Sequence, residues 1–387
     1  MDVDRIKENP TVRTIRHSMF YCRFRRLVFG PGRQPLVDDR GWIGKDASPV
    51  VLHWPPDTPK PQVGVIQDYG VAPRWTKYYR FLETNAIPHA LYDIHARNWR
   101  TEASKYDVIV GVDSSELSRL DELRKKYYVL ERHMHRKCYP RYEDLLLYED
   151  KILEFYLSDT YGLPLVPTYV YHCREEALAA ADRFAYPIVS KVVPGSGSVG
   201  VQLVKNRPQC RAIIRRAFSA GGRGTHYPYA AQKDYVYFQD YVPNDGYDVR
   251  VIVTGTRMCG FYRKVPAGDF RASGMHVEET RALPDQALRI ARRAYDIFKS
   301  PMLAVDLLKS LEGEYRIIEI SPLCRIDTCE ELKVQGIPGY YVMQGDSYSF
   351  QPGRLWVPEL ALKEFFSREY GIPPDDPGAD HRPAGSG

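Results

Sequence analysis

The sequence predicts a mixed α/β (α+β) fold with an N-terminal parallel α/β lobe, a central subdomain and a C-terminal antiparallel sheet. In the N-terminal part, short apolar runs alternate with helical patterns, which is typical of a small parallel sheet. These runs lie at residues 63–67, 90–93 and 106–112. Further along, alternating runs at 235–279 and 302–321 enclose short turns and favour antiparallel hairpins.

Length and composition indicate a folded protein with several lobes. The 387 residues suffice for about two to three domains, and 44% of them are hydrophobic. The net charge of +5 is spread over 54 basic and 49 acidic residues, so nucleic acid is not an expected partner. Seven scattered cysteines include no Cys-x-x-Cys pair and are interpreted as reduced thiols. No apolar signal core or membrane span is evident, so a cytoplasmic protein is expected.

Composition and pattern divide the chain into five segments. Residues 1–60 are rich in arginine and proline and are expected to form a solvated arm or to cover a lobe, with phosphate or nucleic-acid contact as the alternative. An α/β domain at 61–140 is followed by a central subdomain at 141–235. A C-terminal subdomain spans 236–370, and the Pro-, Gly- and Asp-rich residues 371–387 are expected to be disordered.

A glycine loop ends the short apolar strand that finishes on Lys191. Its glycines, Gly195, Gly197 and Gly200, lack the Cβ that would keep a bulky anion away from the backbone, so the loop suits a phosphate. It has neither the Gly-Lys-Ser/Thr ending of a P-loop nor the position of a dinucleotide-binding G-x-G-x-x-G motif. An ordinary hairpin loop is the alternative.

A predicted hairpin near residue 312 places two carboxylates opposite each other. If Glu312 and Gly313 form its turn, Asp306 pairs with Glu319 across the strands. Opposed like charges, ~4.5–5.5 Å apart at Cβ, destabilise a sheet unless a cation lies between them. Mg²⁺ or Mn²⁺ would meet that need, and an exposed polar face is the alternative. The same alternation puts five residues on the opposite, buried face: Leu303, Val305, Leu307, Ile318 and Ile320.

A predicted hairpin that comes first in the chain, with its turn at residues 255–256, places Asp248 opposite Arg263 and puts Arg250 on the same face. Arg271 follows among small residues, where a ligand can approach the chain. Guanidinium groups suit phosphoryl oxygens and stabilise negative charge during phosphoryl transfer. A structural ion pair of Asp248 with either arginine is the alternative to a catalytic role.

Taken in order, these motifs resemble the ATP-grasp superfamily over about residues 148–322. The motifs are Asp150-Lys151, the 187–200 strand and glycine loop, Gln239–Val242, Asp248–Arg250, Arg263, 269–274, Ala304–Asp306 and Ile318–Ser321. The preceding α/β lobe occupies the position of that family's substrate lobe. A finer resemblance is to ATP-grasp proteins encoded with bacterial surface-polysaccharide or peptide-tailoring genes.

The resemblance implies ATP as cofactor. Lys151 and Lys191 are then expected to contact the ATP phosphates, with Arg263 and Arg271 nearby, and Lys191, Arg263 and Arg271 are the implied catalytic residues. Asp248 is expected near the ribose. The residues implied to cover the phosphates or to meet adenine are Gly195, Ser196, Gly197, Ser198, Gly200, Gln239, Asp240, Tyr241 and Val242.

The resemblance also implies a metal site, with Mg²⁺ or Mn²⁺ held by Asp306, Glu319 and Ser321. Ser321 departs from the family pattern, because the last strand usually ends as Glu-x-Asn and a hydroxyl is a weaker oxygen ligand than an amide. This departure puts the occupancy of two metal positions, or full activity, in doubt.

The implied function is that of a carboxylate–amine ligase, which forms an amide through an acyl phosphate. Its expected partners are a small-molecule carboxylate and an amine, where the acceptor is a uronic acid, an amino acid or a peptide. Asp68, His95 and Arg97 are candidates for substrate contact in the N-terminal lobe. Two alternatives stay open: a kinase acting on a sugar or polyol hydroxyl, and a nucleotide-binding regulatory protein without catalysis. The oligomeric state is not predicted.

Overall fold

The computed structural model describes residues 19–29, 36–70, 72–193, 195, 199–266, 269–271, 278–345 and 347–373. Three residues of the predicted glycine loop, Ser196, Gly197 and Ser198, lie outside the described residues. Residues 272–277, which follow Arg271, and 374–387 at the end of the chain also lie outside them. Among the described helices, none has the length and apolar character needed to cross a bilayer.

The N-terminal lobe is built on a parallel sheet in the order β2-β1-β3-β4. Its strands are β1 (Val63–Val65), β2 (His89–Leu91), β3 (Val108–Val110) and β4 (Lys137–Tyr139). Its helices are α2 (Trp75–Thr84), α3 (Trp99–Ala103) and α4 (Leu117–Arg132), and α1 (Met19–Phe29) precedes them. The predicted parallel sheet is confirmed. β4 was not predicted, because a three-residue run that begins with lysine has a weak apolar pattern.

Residues 36–54 cover the N-terminal lobe. Val50 and Leu52 are buried in the main core, and the Asn85 side chain accepts from Leu52 N at 2.7 Å and donates to Val50 O at 3.0 Å. Asp39 and Lys77 form a buried ion pair at 2.5 Å. This part of the arginine-rich segment is therefore packed on the N-terminal lobe. It matches the expectation of a segment that covers a lobe.

The central subdomain has a core of its own, formed between one antiparallel sheet and two helices. The sheet order is β5-β10-β6-β7. The strands are β5 (Thr168–Tyr171), β6 (Ile188–Lys191), β7 (Gln202–Val204) and β10 (Val236–Asp240), with β8 (Arg223–Gly224) and β9 (Ala231–Gln232) pairing separately. The helices are α7 (Arg174–Ala180) and α8 (Arg207–Ala217), and α5 (Tyr142–Leu147) and α6 (Lys151–Thr160) lead into the subdomain.

The C-terminal part is an eight-stranded, antiparallel sheet on which two helices pack. The strands are β11 (Asn244–Thr254), β12 (Arg257–Lys264), β13 (Glu278–Glu279), β14 (Leu303–Ser310), β15 (Tyr315–Ser321), β16 (Lys333–Val334), β17 (Ile337–Gln344) and β18 (Ser347–Pro352). The helices are α9 (Asp285–Phe298) and α10 (Val357–Tyr370). The last predicted strand ends at residue 321. Beyond it, β16, β17 and β18 extend the C-terminal sheet, and α10 packs on that sheet.

The first predicted hairpin pairs in the predicted register. β11 and β12 place Asp248 opposite Arg263 and Thr254 opposite Arg257, so the turn consists of Gly255 and Thr256. Gly255 has a φ of +57°, which suits glycine at this turn. The shared face of Asp248 and Arg263 is therefore confirmed.

The second hairpin is correct at the carboxylate pair but not along its whole length. Asp306 lies opposite Glu319 as predicted, whereas Leu307 lies opposite Ile317, one residue out of the predicted register. The turn is one residue longer than predicted, and a β-bulge at Ile318 restores the pairing. The prediction that Ile318 is buried with Ile320 is wrong, because Ile317 takes that place and Ile318 is partly exposed.

Candidate functional site

A cleft lies between the central sheet and the C-terminal sheet, and most predicted site residues line it. The predicted residues on its wall are Lys151, Lys191, Gly195, Gln239, Asp240, Tyr241, Val242, Asp248, Arg271 and Glu319. The rest of the wall includes the apolar side chains of Val166, Val189, Leu308, Ile318 and Phe270. A cleft that combines apolar walls with several charged groups suits a ligand that has a flat apolar part and an anionic part.

Lys191 is the last residue of β6, and its side chain is buried in the cleft. Its Nζ donates to the backbone carbonyl of Ile318 at 3.3 Å. The bulge leaves Ile318 outside the strand ladder, and the lysine lies against that residue. Burial lowers the pKa of Lys191 to about 8, and the nearby Glu319 carboxylate offsets only part of this effect. A poorly solvated ammonium of this kind is suited to an anionic ligand.

Lys151 provides a second buried ammonium, at the start of α6. Asp150 caps the helix by accepting from the backbone N–H groups of Ile152 and Leu153, as its predicted position at a helix start requires. The Nζ of Lys151 donates to Glu319 Oε1 at 2.8 Å. Burial would lower the pKa of Lys151, but the carboxylates of Glu319, Glu154 and Glu149 together outweigh burial and raise it.

The Glu319 carboxylate interacts electrostatically with the ammonium groups of both Lys151 and Lys191. Burial disfavours its ionised form, but the ammonium groups of Lys151 and Lys191 together outweigh burial, so the pKa of Glu319 lies below its usual value. Its neighbour Glu154 accepts from the backbone N–H of Ile320 at 3.2 Å, and burial raises the pKa of Glu154 well above its usual value. Glu319 therefore provides an ionised carboxylate on the cleft wall.

Asp306 is held by two arginines. It accepts two hydrogen bonds from Arg250, at 2.7 and 2.8 Å, and meets Arg263 Nη2 at 2.7 Å. Arg263 also donates to both carboxylate oxygens of Asp248, at 2.7 and 2.9 Å. Burial opposes ionisation of Asp306, but the two guanidinium groups outweigh burial and lower its pKa. The sequence predicted that a metal ion would compensate the charge of this carboxylate. In the structure, the guanidinium groups of Arg250 and Arg263 compensate it.

The described glycines of the loop are closely packed against backbone. A Cβ at Gly195 would lie 3.0 Å from the carbonyl oxygen of Val192 and 3.1 Å from that of Val199. Gly200 has a φ of +85°, which favours glycine. Gly195 lines the cleft, so this part of the loop brings backbone to its wall.

The segment from Gln239 to Val242 connects β10 to β11 along the cleft. The Gln239 side chain donates to Thr168 Oγ1 at 2.9 Å, and Asp240 N donates to Pro167 O at 2.9 Å. Among the described residues, none accepts a hydrogen bond from the backbone N–H of Val242. The backbone N–H of Val242 is thus open to a hydrogen-bond acceptor on a heterocyclic ligand.

Arg271 lines the cleft from the C-terminal side. Its guanidinium donates to Asp269 at 3.0 and 2.8 Å, and Asp269 also accepts from the backbone N–H groups of Phe270 and Arg271. The carboxylate thereby orients both the side chain and the short backbone segment of Arg271 toward the cleft.

Four predicted residues are not among the described residues that line the cleft: Gly200, Arg263, Asp306 and Ser321. Arg263 and Asp306 are engaged in the buried ion pairs, and the Ser321 hydroxyl donates to the carbonyl of Leu323. Within the described part of the chain, no group of three or more His, Cys, Asp or Glu side chains is arranged to hold a metal ion.

The apolar part of the cleft was not predicted. Leu308 was not among the predicted site residues, yet it lines the cleft together with Ile318. The position of this apolar residue among the charged residues of the hairpin was a signal that could have indicated an apolar cleft wall. Val166 and Val189 gave no signal, because apolar residues at strand ends are ordinary core candidates.

The three candidates in the N-terminal lobe have different environments. Asp68 is buried and accepts from the backbone N–H groups of Arg74 and Trp75, so it caps α2. His95 lies within ion-pair distance of Asp113 and Glu122, at 3.1 and 3.0 Å, and Arg97 is exposed. A role in substrate contact remains a prediction for these residues.

His95→Gln is expected to reduce stability mainly at low pH. Hydrogen bonding to Asp113 outweighs burial and raises the pKa of His95, so its contribution is fully present below its ordinary pKa of 6.5 and disappears as the pH rises through the folded-state pKa. Chemical denaturation should show a loss on the order of 1 kcal/mol at pH 5.5 and a smaller loss at pH 9. Equal losses at both pH values would contradict a charged His95 in the folded protein.

Comparison with known proteins identifies the class of domain that forms this cleft. Residues 149–334 match the family model of the RimK-like ATP-grasp domain. Residues 149–334, slightly less than half of the chain, therefore match a RimK-like ATP-grasp domain, and the resemblance drawn from the motifs in this part of the chain is confirmed.

Individual relatives are distant. A glutamate–LysW ligase of Sulfolobus acidocaldarius is 24% identical over 199 residues, 47% of this chain and 66% of the relative. An α-aminoadipate–LysW ligase of Saccharolobus solfataricus is 23% identical over 187 residues, 46% of this chain and 62% of the relative. The chain thus covers slightly less than two thirds of each. The crystal structure of a D-cycloserine synthetase aligns with a TM-score of 0.51 at 17% identity, covering 79% of this chain and 98% of that one, which indicates a shared fold.

Proposed function

We propose that the protein is an ATP-dependent carboxylate–amine ligase that forms a C–N bond through an acyl phosphate. The observation that carries the proposal is the joint placement of Lys151, Lys191, Arg271 and Glu319 on one cleft wall, beside apolar side chains and the open backbone of Val242. This combination suits a nucleoside triphosphate, with the base against the apolar wall and the phosphates near the cations. The matching ATP-grasp domain supports the same assignment.

Glu319 fits a magnesium ion better than the other two proposed metal ligands do. Mg²⁺ is usually held by one or two carboxylates together with substrate phosphates, and Glu319 is an ionised carboxylate on the cleft wall. Asp306 and Ser321 do not line the cleft and are bonded to Arg250, Arg263 and the Leu323 carbonyl, whereas Glu319 lines the cleft and would exchange its bond from Lys151 for the metal ion. A bound Mg²⁺ or Mn²⁺ would neutralise charge on the phosphate oxygens.

The chain's own residues act by positioning and by charge compensation. Lys151 and Lys191 would hold the phosphates. Arg271, oriented by Asp269, would stabilise the negative charge that develops as the substrate carboxylate attacks the γ-phosphate, the bond to the β–γ bridging oxygen breaks and ADP leaves. The amine then attacks the acyl phosphate, the amide forms and phosphate leaves. Neither step needs a covalent bond to the protein. The glycine loop would exclude water from the acyl phosphate.

An amino acid and a peptide are the substrates that we favour. The two ligase relatives are named for glutamate and α-aminoadipate, each joined to LysW, and neither name refers to a sugar. The earlier expectation of a uronic acid and of polysaccharide biosynthesis therefore has no support from the relatives. We place the substrate on the side of the N-terminal lobe, at the carboxyl ends of its parallel strands.

A regulatory nucleotide-binding protein is the second candidate, favoured by one observation. Asp306 is paired with two arginines, the Ser321 hydroxyl is bonded to backbone and Glu319 is paired with Lys151, so all three proposed metal ligands already have protein partners. ADP release, measured across pooled amino acids, peptides, sugars and amines with mass analysis of products, separates the candidates. ADP release that depends on both an acid and an amine supports the ligase. A phosphate ester indicates a kinase, and tight ATP binding without turnover indicates the regulatory protein.

Glu319→Gln is expected to reduce metal-dependent ATP consumption by about 100-fold or more, because the change removes the ionised carboxylate from the cleft wall. Initial rates over a range of Mg²⁺ concentrations would measure this loss. Glu314→Gln, a change on an exposed residue at the start of the same hairpin strand, serves as the control and should leave the rate unchanged. Unchanged magnesium dependence in Glu319→Gln would remove the basis for this metal ligand.

A further inference from the structure

Helix α1 (Met19–Phe29) carries an apolar face that the described residues leave exposed. Phe20, Phe24 and Leu27 follow one another at helical spacing, and their exposed fractions are 81%, 52% and 65%. Val28, with an exposed fraction of 55%, lies on the same face. Single exposed apolar side chains are ordinary on protein surfaces, whereas a group of four on one helix face indicates an interaction surface.

The helix is attached to the central subdomain through a polar contact. Arg23 Nη2 donates to the carbonyl oxygen of Pro228 at 3.3 Å. A Cβ at Gly224, in β8, would lie 2.6 Å from Arg23 Nη1, so the guanidinium lies directly against this part of the backbone. Tyr229, the residue after Pro228, is exposed. An exposed aromatic side chain therefore lies beside the point at which α1 is attached.

The sequence around α1 is basic. Residues 9–37 contain six arginines and no aspartate or glutamate. Three of these arginines belong to α1 itself: Arg23, Arg25 and Arg26. An apolar face combined with arginines, without acidic residues, is the pattern of a helix that lies in a membrane interface. With 11 residues, α1 is too short to cross a bilayer, so it would lie on the membrane surface.

The segment of the central subdomain that α1 contacts is basic as well. Residues 205–233 contain seven lysines and arginines and no aspartate or glutamate. Two of these cations pair with Asp182, which precedes the segment in the chain. Arg215 and Arg216 of α8 are exposed, and neither forms an ion pair with a described carboxylate. These two arginines add positive charge to the subdomain that carries α1, which favours anionic lipid head groups.

We propose that α1 docks the protein on a membrane surface that contains anionic lipids. The four exposed apolar side chains enter the boundary between head groups and acyl chains, and arginines bind lipid phosphates. Nucleic acid fits this surface less well, because Leu27 and Val28 have no ring on which a base can stack. A second copy of α1 fits less well too, since arginines would face arginines. The proposal does not depend on the ligase activity, because none of the described residues of α1 lines the ATP cleft.

Co-sedimentation of the full chain with sucrose-loaded vesicles tests the proposal. One set of vesicles contains equal parts of phosphatidylglycerol and phosphatidylcholine, and the other contains phosphatidylcholine alone. We expect saturable binding to the anionic vesicles, about tenfold or more weaker binding to the neutral ones, and weaker binding as salt is raised from about 0.1 to about 1 M.

A double variant, Phe20→Ser/Phe24→Ser, should weaken binding to the anionic vesicles about tenfold or more, because it removes two apolar side chains from the helix face. The matched control is Leu311→Ser, which removes an exposed apolar side chain from the turn of the β14–β15 hairpin. Its affinity should stay within about twofold of the wild-type value. Hydrogen exchange on the same samples should show slower exchange of the α1 amides when anionic vesicles are present, with α9 unchanged.

Four results would overturn the proposal. The first is the absence of binding to anionic vesicles, and the second is undiminished binding by the double variant with unchanged thermal unfolding. The third is tighter binding to a single-stranded RNA than to the vesicles, which would assign α1 to nucleic acid. The fourth is a dimer, seen by light scattering without lipid, that the double variant abolishes, since a second copy would then cover the helix face.

Discussion

Lys191→Ala is expected to lower the catalytic efficiency for ATP by about 100- to 1,000-fold, the size of effect seen when one group that stabilises charge in a transition state is removed. A second signature comes from the lowered pKa. Because the pKa of Lys191 is about 8 without ligand, much of its side chain is neutral at pH 8.5. Phosphate groups beside it restore the charged form, so nucleotide binding should take up protons at this pH.

Calorimetric titration of ADP in two buffers with different ionisation enthalpies measures this proton uptake. We expect uptake for the wild type at pH 8.5, little at pH 6.5, and little at either pH for Lys191→Ala. Lys205→Ala changes an exposed lysine of the same subdomain and should behave as the wild type. Equal uptake in Lys191→Ala and the wild type would show that another group accounts for it.

Asp306→Asn is expected to have the largest effect on stability. The change leaves Arg250 and Arg263 with less compensating charge in the sheet, and removing one partner of a buried ion pair costs about 3–5 kcal/mol of unfolding free energy. The contribution is present above the usual aspartate pKa of 3.8 and is lost as the pH falls toward the lowered folded-state pKa. Urea denaturation should show a wide gap between wild type and variant at pH 7 and a smaller gap at pH 3, where only the first part of the contribution has been lost.

Asp121→Asn provides the comparison for that measurement. Asp121 pairs with Lys125 on α4 with both side chains largely exposed, so the expected loss is within about 0.5 kcal/mol. A similar small loss for Asp306→Asn would mean that the buried ion-pair network contributes little to stability.

The two hairpins show how far the sequence determines the site. At the β11–β12 hairpin, a two-residue turn fixes the register, so the placement of Asp248 and Arg263 follows from counting. At the β14–β15 hairpin, the turn is one residue longer and the bulge compensates, so the opposition of Asp306 and Glu319 was predicted correctly despite two local errors. A count along two strands cannot detect a bulge that cancels a longer turn.

The prediction of a metal ion beside Asp306 left out a neighbouring strand, for a related reason. Counting placed two carboxylates opposite each other, but it did not bring in Arg250 from the neighbouring strand β11, which contacts Asp306. Contacts between strands that are distant in sequence depend on sheet order, which the local pattern does not contain. The apolar wall of the cleft was missed for the same reason, since Val166, Val189 and Leu308 come from three separate strands or loops.

The bulge at Ile318 gives two consecutive residues of one strand to the same cleft. Ile318 lines the cleft, and its carbonyl oxygen accepts a hydrogen bond from Lys191. The Glu319 carboxylate accepts one from Lys151. Without the extra residue the strand would regain regular alternation, with Ile317 and Ile320 still buried and Glu319 still facing the cleft. Ile318 is thus a single-residue insertion whose effect is confined to the cleft. The side chain at this position can therefore vary in size and chemistry without a rearrangement of the sheet.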